Sequence, residues 1–133
     1  MAVSGYAFAQ TSAKEDEEAI KKVIVGVFDA YINRDLQAWL SYYVDSPQNI
    51  YMITPGRSAG QLVYRTGFET MKAASEALFK TPIKGQFEII NREGWNFRIL
   101  GNVAWVSYRS TFKMGQDLVP AAELKVFEKI DGQ

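Results

Sequence analysis

Apolar positions along the chain fall into two regimes, one of helical period and one of period two. From Ile20 they recur at Val23, Ile24, Val27, Phe28 and Tyr31, the spacing of one buried helical stripe. Ser12-Ala13-Lys14-Glu15 has capping-box form and predicts the start of that helix. Glu15, Asp16, Glu17 and Glu18 then crowd its first turn, where the helix dipole favours negative charge. Asn33-Arg34 interrupts the pattern, and Asp35 predicts the cap of a shorter helix with Leu36, Trp39, Leu40 and Tyr43 on its apolar face. That helix is expected to end near Asp45-Ser46-Pro47, because proline disfavours helical geometry in the residue before it.

Residues 49–54 (NIYMIT) are β-branched and aromatic and predict a strand, with turn chemistry at 55–60 and a returning strand over 61–65. Thr66-Gly67-Phe68-Glu69 reads as a second capping box. The helix behind it carries Phe68, Met71, Ser75, Leu78 and Phe79 on one side and stops at Thr81-Pro82. Strands are expected over 86–91, 95–100, 103–114 and 121–130, with a tight turn at Gly101-Asn102 and a looser connection over 116–120. Helices gathered early and strands late predict an α+β fold. Asp131-Gly132 is a hairpin signal just before Gln133, so the domain is expected either to lack its last strand or to end in a frayed tail.

Composition narrows the chemistry. The 133 residues suit one domain, and 15 Lys plus Arg balance 15 Asp plus Glu. That balance disfavours nucleic acid and anionic membranes as partners. No run approaches the roughly 18 apolar residues of a membrane helix. The absence of cysteine excludes disulfides and thiolate chemistry. The absence of histidine excludes Ser-His-Asp hydrolysis and most zinc chemistry, and no metal or cofactor is predicted. Ala7-Phe8-Ala9 has the small-x-small form of a signal peptidase site. Residues 1–14 are therefore read as an export-signal remnant or a flexible tail, and 15–133 as the domain. The expected location is periplasmic or secreted, otherwise cytoplasmic.

The element order, with Glu18-Ala19-Ile20 through Asn33-Arg34-Asp35, then Tyr64-Arg65-Thr66-Gly67-Phe68-Glu69, Asn102-Val103-Ala104-Trp105-Val106 and Val126-Phe127-Glu128-Lys129-Ile130-Asp131-Gly132, resembles the NTF2-like superfamily. That superfamily includes ketosteroid isomerase, scytalone dehydratase and the SnoaL-type cyclases. The resemblance implies a cone: three N-terminal helices packed on a curved, mostly antiparallel sheet around a pocket. It also implies a further closing strand after Gly132.

Within that expected pocket, parity turns Ile50, Met52 and Thr54 inward, and along the long strand Ala104, Val106, Tyr108, Ser110, Phe112 and Met114. Tyr31 falls where the isomerases place a tyrosine, but their proton-shuttling acid aligns with Thr54, whose hydroxyl is no general base near neutral pH. The expected ligand-binding set is Tyr31, Tyr43, Met52, Thr54, Trp95, Tyr108 and Phe112, with core packing as the alternative for each. Trp39 is a further wall candidate. Trp105, on the opposite face, suggests a homodimer interface. Arg57 is weighed as an anion contact, and Glu128, alternating with Leu124, Val126 and Ile130, as an inward-facing base. Three readings stay open: a domain binding a small apolar molecule, an isomerase or cyclase acting on a carbonyl or polyketide-like substrate, and a dimeric association module.

Overall fold

The computed structural model describes residues 4–47, 51–55, 62–83 and 87–132, and along 4–12, 51–55 and 62–65 it describes the backbone alone. The elements run α1 (Ser4–Asn33), α2 (Leu36–Ser41), β1 (Tyr51–Pro55), β2 (Leu62–Thr66), α3 (Phe68–Phe79), β3 (Phe87–Leu100), β4 (Val103–Met114) and β5 (Asp117–Glu128). They form two compact units, Met1–Val25 with Ile83–Gln133, and Gly26–Pro82. No helix among the described residues is long and apolar enough to cross a membrane.

α1 begins at Ser4, ahead of the expected start at Ser12. Residues 4–11 contain no proline and include Ala7, Ala9 and Gln10, all good helix formers. A helix nucleated over the apolar stripe therefore propagates back through them without a second nucleation step. The acidic residues from Glu15 to Glu18 consequently lie inside the helix and complement no first turn. Two of them form ion pairs instead: Glu18 with Lys21 at 2.9 Å and Asp16 with Lys129 at 2.6 Å.

The first unit is built on an antiparallel sheet of order β3-β4-β5. Ile24 of α1 is buried with Val106 and Tyr108 of β4, and Ile20, Trp95, Phe97 and Phe127 pack around them. Burying one such side chain stabilises by about 1.5–3 kcal/mol. That exceeds the few tenths of a kcal/mol by which β-branched residues disfavour a helix, so the stripe holds α1 despite its isoleucines and valines. β3 is one strand where two were expected. The predicted break survives as register shifts between Ile89 and Asn91 and between Glu93 and Asn96, with Gly94 at φ 65°.

The β4–β5 turn is the two-residue Gly115-Gln116, tighter than the expected connection over 116–120. Gly115 takes φ 63°, a conformation glycine adopts freely. Pro120 lies within β5 opposite Thr111, and it is tolerated because β5 pairs only with β4 among the described strands. Asp131 and Gly132 take φ 51° and 78°, the positive pair that a type I′ turn requires.

In the second unit, α1 closes on Arg34 at φ 56°. The Arg34 amide donates to Tyr31 O and the Asp35 amide to Ala30 O, a Schellman arrangement with arginine where glycine is usual. Asp35 caps α2 as expected, its Oδ1 accepting from the Ala38 amide at 2.9 Å. α2 ends at Ser41, earlier than expected, with Tyr42 as its C-cap. β1 and β2 pair antiparallel, Tyr51 opposite Thr66. Thr66 is thereby held in the strand, and the expected capping box does not form. Gly67 stands at the head of α3 with φ 83° and no side-chain cap, and the Phe68 amide donates to Ser46 O at 2.9 Å instead.

A Cβ at Gly67 would sit 2.7 Å from the Pro47 carbonyl oxygen. Gly67→Ala therefore combines a positive-φ penalty with a backbone clash. It is expected to lower unfolding stability by about 1–3 kcal/mol, read as a shift in the urea midpoint at unchanged slope.

Candidate functional site

Side chains alternate across β4, so Ala104, Val106, Tyr108 and Ser110 all point to the buried face of the sheet. The expected alternation holds over these four and fails at the strand end, where Met114 is exposed. β5 departs from expectation more sharply. Leu124 and Val126 are 70% and 62% exposed, and Glu128 lies exposed on the same face. The inward positions are Glu123, Lys125 and Phe127. Glu128 is therefore not the inward carboxylate; Glu123 is. The cause is register. The Gly115-Gln116 turn sets Tyr108 directly opposite Glu123 and Trp105 opposite Val126. Placing the turn later and choosing the face by hydrophobicity leads to the wrong side of the strand.

Glu123 joins two hydroxyls. Tyr108 donates to its Oε2 at 2.8 Å and Ser110 to its Oε1 at 2.6 Å, while Lys125 Nζ stands 3.3 Å from Oε2. Burial works to raise the Glu123 pKa, but the hydrogen bonds from Ser110 and Tyr108 and the Lys125 ammonium outweigh it, and the carboxyl titrates below its ordinary value. Burial, followed by the bond to Glu123, pushes the Tyr108 phenol well above its ordinary value. Near neutral pH the pair is thus a carboxylate accepting from an un-ionised tyrosine. With a donor on each oxygen, Glu123 is poorly placed to take a proton from a substrate.

The rest of this face is aromatic. The Trp95 ring stacks on Tyr108 with centroids 4.5 Å apart and an interplanar angle of 24°, and Phe97 lies 5.8 Å beyond it. Lys21 Nζ sits 5.7 Å from both the Trp95 and Phe97 centroids. The result is a row of stacked rings, Phe97, Trp95 and Tyr108, with one polar cluster set beside it. Among the described residues no group of three acidic side chains could hold a metal ion.

The other expected residues are dispersed. Phe112 stacks on Phe87 at 5.4 Å. Tyr31 and Tyr43 both belong to the second unit, where they flank Trp39 at 6.0 and 5.1 Å. Phe79 completes that cluster, and the Trp39 indole donates to Ser75 Oγ at 3.0 Å. Burial raises the Tyr43 phenol pKa. The side chains of Met52 and Thr54, and the whole of Ile50 and Arg57, lie outside the described residues. Trp105 is 40% exposed on the outer face.

No protein-family profile matches the chain, and no curated protein matches it in sequence. Solved structures do match in shape. An NTF2-like protein of unknown function from Shewanella oneidensis MR-1 aligns with a TM-score of 0.64 at 20% identity, covering 89% of this chain and 91% of that one. An NTF2-like protein of unknown function from Pseudomonas putida KT2440 gives 0.69 at 15% identity, over 90% and 80%. A Streptomyces avermitilis protein of the NTF2-like family, provisionally named a dehydratase, gives 0.62 at 13% identity, over 89% and 88%. At these identities the likeness is one of fold: the chain has the α+β NTF2-like fold, and activity does not follow from that.

Because the folded-state pKa of Glu123 lies below the ordinary carboxylate value, its contribution to stability is complete above that value and is lost as pH falls through the folded-state one. Glu123→Gln is expected to lose about 1–3 kcal/mol at neutral pH. Its melting temperature should also fall less steeply than the wild type's on acidification from about pH 6 to pH 3. Parallel curves for the two proteins would show that this carboxylate carries no such linkage.

Proposed function

We propose that this NTF2-like domain binds a small, flat, largely apolar molecule against Trp95 and Phe97, the partly exposed rings of the stack that Tyr108 anchors. The observation that carries the reading is the 4.5 Å stack of Trp95 on Tyr108, fixed from behind by the Glu123 bonds to Tyr108 and Ser110. Rings held this rigidly offer contact area at little entropic cost, and the partly exposed Glu123 and Lys125 beside them suit a ligand with one polar edge. An isomerase or cyclase would need a carboxylate free to receive a proton. The engagement of both Glu123 oxygens counts against that chemistry here.

A second reading, association of two copies, rests on a separate observation. Trp105 stands opposite Val126 on the outer face, beside Leu124, and all three are exposed. Exposed apolar side chains contiguous on one sheet face suit an interface between subunits.

The fluorophore N-phenyl-1-naphthylamine tests the first reading. It is expected to bind the folded protein saturably and to quench tryptophan emission. Trp95→Ala should weaken that binding roughly tenfold, the equivalent of about 1.4 kcal/mol, and Trp95→Phe should restore most of it. Saturable binding that ignores Trp95→Ala, or none at all, would remove the proposal. For the second reading, Trp105→Glu should convert a sedimenting dimer to monomers with its circular dichroism unchanged.

A further inference from the structure

Arg34 combines two unfavourable features within the second unit. As the residue after the α1 C-cap it takes φ 56°, where glycine or asparagine is cheaper. Its guanidinium Nε and Nη1 are shielded from water and have no hydrogen-bond acceptor among the described residues. Buried polar groups are nearly always satisfied, so an unmatched cation calls for an explanation. The guanidinium carbon lies 4.7 Å from the Tyr31 ring centroid and 5.4 Å from that of Phe79. The rings stabilise the positive charge through their faces, but they offer nothing to the N–H groups.

We infer that Arg34, set against Tyr31 and Phe79, is a binding site for the carboxylate of an aromatic or similarly apolar acid. A planar carboxylate bridges two guanidinium nitrogens that lie side by side, Nη1 with Nη2 or Nε with Nη2, and so supplies an acceptor to one of the two unmatched groups. The apolar part of such an acid suits the neighbouring, partly exposed rings of Tyr31, Trp39 and Phe79, which favour it over an inorganic anion. Arg34 as a whole is only partly buried, so the guanidinium stands at the edge of the ring cluster and not within a sealed core. Backbone strain and an unsatisfied cation at one residue fit a binding role better than a purely structural one. This site is independent of the one on the sheet, and either can fail without the other.

Sodium benzoate is the probe, with benzyl alcohol as its neutral counterpart, followed by nitrogen-15 NMR of the intact protein. Benzoate is expected to shift the Arg34 Nε–H resonance saturably, and benzyl alcohol to leave it in place. Arg34→Gly, which puts the favoured residue at the helix end and so keeps the fold, should weaken benzoate binding at least tenfold. Arg34→Gln provides the same test with a polar side chain of similar reach. An Arg34 resonance unmoved by millimolar benzoate, or variants that bind benzoate as well as the wild type, would overturn the assignment.

Discussion

The pairing of β4 with β5 about Gly115-Gln116 decides what the first unit presents on each side of its sheet. Side chains on a strand alternate, so a one-residue slip would exchange the two faces completely. In the observed register Glu123 meets Tyr108 and Ser110, and Phe127 joins the cluster that receives Ile24. The same register leaves Trp105, Leu124 and Val126 together on the outside. The hydrogen bonds to Glu123 in turn reinforce the pairing, since either slipped arrangement would separate the carboxylate from both hydroxyls. The polar cluster and the sheet register therefore support each other.

The second unit is held differently. Its centre is a set of aromatic rings around Trp39, tied by the indole bond to Ser75, whose hydroxyl also donates to Met71 O. Edge-on and tilted contacts among Tyr31, Trp39, Tyr43 and Phe79 hold α2 and α3 to the end of α1. α2 is short, none of its residues is fully buried, and it depends on the Asp35 cap and on Trp39 for its place. The ring cluster does for this unit what the Ile24, Val106 and Tyr108 core does for the other.

Much of this architecture is legible in the sequence. The stripe from Ile20 to Tyr31, the cap at Asp35, the hairpin of β1 with β2 and the turn at Gly101-Asn102 follow from local periodicity and turn chemistry. Features set by non-local pairing are harder to read. Both capping boxes have the right letters, yet Ser12 is overtaken by helix propagation and Thr66 by pairing with Tyr51. Glu123 is missed because the apolar Leu124 and Val126 suggest the opposite face as the inner one. A turn placed at Gly115-Gln116 would have revealed the partner of Tyr108 by counting outward along the two strands. The strain at Arg34 has no sequence signal beyond a cation between two helices.

Pro120 carries one more consequence, for how the molecule avoids its neighbours. Among the described strands β5 pairs with β4 alone, and a strand edge left unpaired is a row of amides and carbonyls that can template another chain. Proline has no amide hydrogen, so the ladder an invading strand would build along β5 is broken at that rung. Four rungs in from the hairpin tip, the break divides the rim into two shorter stretches, each a poorer template than the uninterrupted strand would be.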